Sequence, residues 1–109
     1  MKPNTELSKD VIFDLLSVER RRHVIRIIDE EDEILIGNVA EHIAAIENHV
    51  KLQEINSEQR KRVYVSLYQM HLPKLAEYDV IEYDQNRGVI KEEQNLKHLL
   101  PYILTPPIE

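Results

Sequence analysis

The sequence predicts a mainly α chain with a small β-hairpin, an α+β fold, on three observations. Apolar residues recur at helical spacing through most of the chain, and two short β-branched runs flank a tight turn ending at Gly88. Pro or cap-forming residues stand at most of the boundaries. With 109 residues, 42% hydrophobic and 31% charged, the material suffices for one domain, taken as 1–109 with a core over about 15–92.

The segment from Ser8 to Glu30 reads as helix, because Val11, Leu15 and Val18 and then Val24, Ile25 and Ile28 recur among charged residues. Ser17 is expected to divide it, as N-cap of a second helix with Glu19 in its first turn. The acidic run Asp29 to Glu33 reads as a solvated turn. Glu33-Ile34-Leu35-Ile36 suggests a brief strand stopped by Gly37. Asn38 with Glu41 three residues on resembles a capping box, opening a helix whose stripe is Val39, Ile43, Ile46 and Val50. Lys51 to Ile55 breaks that pattern. Asn56 with Gln59 then offers a second box, and a long helix to about Tyr78 follows. Val63, Tyr64, Leu67, Tyr68, Leu75 and Tyr78 form its broad apolar face, opposite Arg62, Ser66, Gln69 and Pro73. A kink or boundary is expected at Pro73. Val80–Asp84 and Val89–Glu92 read as hairpin strands, with Gly88 supplying the positive φ of the turn. A last apolar helix over 93–104 is expected to be bent or ended by Pro101 and stopped by Pro106-Pro107.

Helix, helix, short strand, helix, long helix, hairpin, helix is the order of a winged helix-turn-helix. In that architecture the second helix of the motif enters the major groove, where it can present side chains to base edges. One departure is the connection from Asn48 to Asn56, 9 residues long, where the ordinary turn has about three or four.

The net charge of -6 hides a pattern that supports this order. Residues 1–26 carry +2, 27–56 carry -7, 57–74 carry +3, 75–84 carry -4 and 85–109 carry 0. The long helix is thus a basic island between acidic segments. Such a balance weakens non-specific attraction to DNA while leaving room for a specific site.

Two family resemblances bear on the same segment. The stretch His71-Leu72-Pro73-Lys74-Leu75-Ala76-Glu77-Tyr78-Asp79-Val80-Ile81-Glu82-Tyr83 resembles the HLxxLxxAGLVxxx passage between recognition helix and wing in winged-helix repressors of the arsenical-resistance type. Here Tyr78-Asp79 replaces the usual Ala-Gly, and no Cys is present, so metal sensing is not carried over. The chain is also similar to a family of small, chiefly haloarchaeal winged-helix domains of uncharacterised function. The shared residues are Leu16-Ser17 with Arg20-Arg21-Arg22, Val39 to Ala45 with Glu47-Asn48, and Lys61 to Gln69 followed by His71 to Leu75. That resemblance spans roughly 15–92 and implies a DNA-binding regulator.

On this reading Arg60, Lys61 and Arg62 lie where side chains meet phosphates at the start of a recognition helix. Arg62, Ser66 and Gln69 are the candidates for base edges, since Arg suits guanine, Gln adenine and Ser either, and Val65 suits a thymine methyl. A roll of the helix by about 60°, which periodicity leaves open, brings Lys61 and Tyr68 onto the reading face and removes Ser66. Asn86 and Arg87 at the hairpin tip suit phosphate or the minor groove. The other basic cluster, Arg20, Arg21, Arg22 and Arg26, is expected to pair with carboxylates or face water, with the 29–33 run as a natural neighbour.

Other classes find less support. Without Cys there are no disulfides, thiolate metal sites or cysteine nucleophiles, which fits a reducing cytoplasm. His23, His42, His49, His71 and His98 show no metal-binding spacing, and no nucleophile and base are placed by a motif, so neither a metal nor an enzyme is expected. Two Gly are too few for a phosphate-cradling loop, so no cofactor is expected either. No run approaches the roughly 20 apolar residues of a membrane span, and the charged start reads as no signal peptide. The apolar end segments Val11–Leu16 and Leu96–Leu104 suggest a homodimer, which would set two recognition helices roughly 34 Å apart on double-stranded DNA. The alternative is a winged-helix module for protein–protein interaction without DNA binding, suggested by the acidic Glu82, Asp84, Glu92 and Glu93.

Overall fold

Eight residues from Lys9 to Leu16 form α1, and 13 from Glu19 to Glu31 form α2, in a computed structural model that describes residues 6–104. Ser8 caps α1, its Oγ accepting from the Val11 N–H at 3.2 Å. The break at Ser17 falls where expected, but its chemistry is reversed. The Ser17 hydroxyl donates back to the Asp14 carbonyl at 2.7 Å, so it serves the end of α1, while Val18 opens α2 without a side-chain cap. Helix α2 runs through Glu31, so only Asp32, at φ 63°, is the turn expected of the whole acidic run.

Strand β1 is Glu33–Leu35, and α3 follows at once as Ile36–Asn48. The Asn38 cap is therefore displaced: Leu35 holds the cap position, and both Gly37 and Asn38 lie inside the helix. The cause is tertiary. Leu35 pairs with Val89 across the sheet, the Ile36 N–H donates to the Gly88 carbonyl at 2.9 Å, and the Ile36 side chain enters the core. The buried face of α3 is accordingly Ile36, Val39, Ala40, Ile43 and Ala44, while Ile46, expected in the stripe, is 46% exposed. His49 ends α3 in the left-handed region at φ 55°, and a 3₁₀ turn over Leu52–Glu54 organises the long connection.

The second capping box is present. Asn56 Oδ1 accepts from the Gln59 N–H at 2.8 Å and Gln59 Oε1 from the Asn56 N–H at 3.1 Å, opening α4, Ser57–Ser66. A π turn over Leu67–His71 joins α4 to α5, Leu72–Glu77. In it the Leu72 N–H reaches the carbonyl of Leu67, five residues back. This widening leaves Pro73 in the first turn of α5, where its missing donor breaks no bond of that helix. After α5 the backbone turns through Asp79 at φ 57°, a region that Asp tolerates better than most residues.

Strands β2, Ile81–Asp84, and β3, Val89–Glu92, form the hairpin. Gly88 takes φ 65° at the turn, and β3 pairs on its other edge with β1, giving an antiparallel sheet in the order β1-β3-β2. Helix α6, Leu96–Leu104, runs through the exposed Pro101 rather than ending there, because Leu99, Leu100 and Ile103 pack onto the core on either side of it. Pro106-Pro107 lies outside the described residues. Every helix except the 3₁₀ turn contributes to one apolar core with the sheet, centred on Leu15, Ile28, Ile43, Leu67, Leu75 and Ile90. The result is a mainly α chain with a small antiparallel sheet, in the winged helix-turn-helix order.

Candidate nucleic-acid interface

Burial fixes the rotation of α4. Val63 and Leu67 enter the core, so the opposite side presents Lys61, Arg62 and Val65, continued by Tyr68 and Gln69 on the π turn. Ser66 is half-buried on the flank. This is the rolled register, with Lys61 and Tyr68 outward. Arg60 turns toward α3, its Nη1 3.1 Å from Glu41 Oε1. Arg62 Nη2 lies 2.9 Å from Glu58 Oε1 one turn back, with both side chains more than 70% exposed (73% and 72%). Lys61 makes no ion pair among the described residues.

The hairpin is joined to this helix by aromatic contact. The Tyr68 ring meets Tyr83 of β2 edge to face, centroids 6.2 Å apart at 90°. Burial, with the Tyr64 and Tyr68 phenols close by, pushes the Tyr83 hydroxyl above the usual tyrosine range. At the tip, Asp84 Oδ1 accepts the N–H groups of Asn86 at 3.0 Å and Arg87 at 3.1 Å, and the Gly88 N–H donates to the Asp84 carbonyl at 2.8 Å. Asp84 thus adds more than negative charge to the wing: it builds the turn that holds Asn86 and Arg87 outward. On β3, Lys91 stands between Glu33 of β1 and Glu82 of β2, so the sheet beyond the tip carries mixed charge.

The other basic cluster is consumed internally. Arg20 makes two bonds to Glu47 of α3, at 2.7 and 2.8 Å, and these hold its guanidinium above the usual range. Arg21 is buried and donates to the carbonyls of Leu15 and Asp14, both at 2.8 Å, and Arg22 donates to the Leu16 carbonyl. Arg26 lies 3.4 Å from His23 Nδ1. The acidic 29–33 run, expected as their neighbour, supplies none of these bonds. Lys74 Nζ sits 2.6 Å from Asp14 Oδ2, a hydrogen bond that holds the Asp14 carboxyl below the usual range.

Sequence reasoning missed Asn95. It is buried, its Nδ2 donates to the Tyr78 carbonyl at 2.9 Å and its N–H to the Asp79 carbonyl at 2.9 Å, pinning the corner from α5 to the hairpin. An Asn just ahead of an apolar helix is a signal for a cap, and it conceals this longer reach. Among the described residues no group of three or more His, Asp or Glu side chains could hold a metal ion. No described helix is long and apolar enough to cross a membrane.

Neither the curated proteins nor the solved structures yield a match. A family model does match, over residues 13–91, from Phe13 of α1 to Lys91 of β3, and so takes in α4 and the hairpin tip. By that match the chain belongs to the family described as Domain of unknown function (DUF7344).

Proposed function

We propose that the protein is a non-enzymatic, cytoplasmic transcription regulator that binds double-stranded DNA sequence-specifically, with α4 and its π turn in the major groove and the hairpin tip on the backbone or minor groove. The observation that carries this reading is the outward face of α4. Lys61, Arg62, Val65 and Gln69 share it, on a helix seated against the core by Val63 and Leu67 and braced to the hairpin by Tyr68 and Tyr83. In that pose Arg62 reads guanine, Gln69 adenine and Val65 a thymine methyl, with Ser66 at the groove edge. Arg60, Lys61, Asn86 and Arg87 take phosphates.

The carboxylates already on Arg60 and Arg62 do not oppose it strongly. Exposed pairs of this kind contribute about 0.3–0.5 kcal/mol, and a phosphate replaces either carboxylate at little cost. Selection from a random DNA pool should yield a preferred site, with affinity falling steeply as salt rises. Lys61→Ala with Arg62→Ala should reduce the slope of log affinity against log salt by about 1, through the phosphate contact of Lys61, and relax the sequence preference that Arg62 supplies. A double variant that still prefers the selected site at matched salt would overturn the assignment of α4.

A homodimer through the terminal helices is part of the proposal. Phe13 of α1 and Tyr102 of α6 are 57% and 46% exposed, and their rings meet edge to face at 6.0 Å, so one face of each helix seals the core while the other offers aromatic surface. Phe13→Ser with Tyr102→Ser should convert a dimer to a monomer in light scattering; a monomeric wild-type protein would remove this part. The second reading, a protein-interaction module, rests on the same two occupied arginines and on the exposed Tyr68 and Met70. It prevails if no DNA is selected.

A further inference from the structure

The corner between α1 and α2 closes on a buried cation. Arg21 is 5% exposed, and its Nε and Nη2 donate to the Leu15 and Asp14 carbonyls, with Ser17 Oγ 3.4 Å from Nη2. Its remaining nitrogen, Nη1, lies 3.4 Å from Nδ1 of His71, the last residue of the π turn and itself 4% exposed. A guanidinium only donates. Nδ1 is therefore the acceptor, and the imidazole at this site is neutral with its proton on Nε2. A proton on Nδ1 would set N–H against N–H and place two cations in contact in a site shielded from water.

The groups around His71 add to that opposition. Arg20 and Arg21 on α2 and Lys74 on α5 are positive. The nearby carboxylates are Glu47 on α3 and Asp14 on α1, and each is engaged, with Arg20 and Lys74 respectively. Burial first, then Arg21 and Arg20, hold His71 below the ordinary histidine value of 6.5.

We propose that the Arg21–His71 contact is an acid-released latch: neutral His71 holds the π turn, and with it the helical run from α4 to α5, against the α1–α2 corner, and protonation releases it. The inference stands on this contact and is independent of DNA binding. Its sign follows from linkage. The opened or unfolded chain takes up the proton more readily than the closed one, so the latch contributes fully above pH 6.5 and is lost as pH falls from there through the lower folded value.

The test uses the full-length protein. Imidazole NMR from pH 8 to 5 should show His71 titrating below 6.5, and hydrogen-exchange protection of the Leu67–Leu72 amides should fall over the same range. In His71→Gln, which keeps a neutral acceptor for Arg21, that protection should lose its pH dependence. In Arg21→Gln the His71 titration should move up. A His71 that titrates at or above 6.5 in the wild type, or a His71→Gln variant whose amides keep the wild-type pH dependence, overturns the latch. Should His71→Gln fail to fold, the wild-type titration decides alone.

Discussion

Arg20-Arg21-Arg22 and Arg60-Lys61-Arg62 are nearly the same string, each near the start of a helix, yet the fold turns the first inward and the second outward. What differs is the chain immediately before each. Helix α1 ends four residues ahead of Arg20, and its last turn leaves the carbonyls of Asp14, Leu15 and Leu16 without the donor a continuing α-helix would supply. Across the tight Ser17-Val18 corner, Arg21 and Arg22 fill them. Before α4 there is an extended cap residue preceded by a 3₁₀ turn, with no helix end to serve. Its two arginines each meet a single carboxylate, Arg62 one turn back and Arg60 on α3. A basic triplet is therefore structural when it follows a helix end through a short corner and available when it follows a side-chain cap.

The most direct way to break this contrast is to remove the central residue of each triplet. Arg21→Met keeps the stem but leaves the Leu15 carbonyl and His71 Nδ1 without their donor and strips one donor from the Asp14 carbonyl. We expect a loss of about 2–4 kcal/mol, read from the urea midpoint at pH 7.5. Lys61→Met should change stability by less than about 0.5 kcal/mol, since the side chain lies on an exposed face. Equal losses at the two positions would mean that both triplets are structural. The starts of the two helices offer the next contrast, because α4 is capped by side chains and α2 is not. Asn56→Ala should cost about 1 kcal/mol and fray the first turn, which carries Arg60, visible as lost amide protection at Gln59.

The same contrast explains what could be read from the sequence. The Asn56–Gln59 box and the Gly88 turn were legible because both are local: their partners lie within four residues. Ser17 and Asn38 carry the same chemical signal and misled for a tertiary reason. The Ser17 hydroxyl serves the preceding helix, and the Leu35–Val89 pairing starts α3 two residues before Asn38. The outward face of α4 was legible only to within one roll of the helix, until burial of Val63 and Leu67 selected the register with Lys61 and Tyr68 outward. The Arg21–His71 contact was illegible, since 50 residues separate its members and nothing in either neighbourhood marks the other.

The smallest perturbation sharpens the functional side of the comparison. Glu58 lies one turn before Arg62 and holds its Nη2 at 2.9 Å, where both side chains are largely in water. Glu58→Gln removes an exposed i,i+4 pair and a favourable charge at a helix start, so stability should fall by only a few tenths of a kcal/mol. With α4 in the major groove as proposed, the same change would free a guanidinium and remove a negative charge from the helix start nearest the phosphates. Affinity for DNA should therefore rise, and the salt slope should steepen by up to about 1, the equivalent of one further phosphate contact. A protein partner that used Val65 and Tyr68 would gain nothing from that charge and would show no such slope. The sign of one side-chain replacement in a salt titration thus separates an outward basic triplet held in reserve for phosphate from one that is merely solvated.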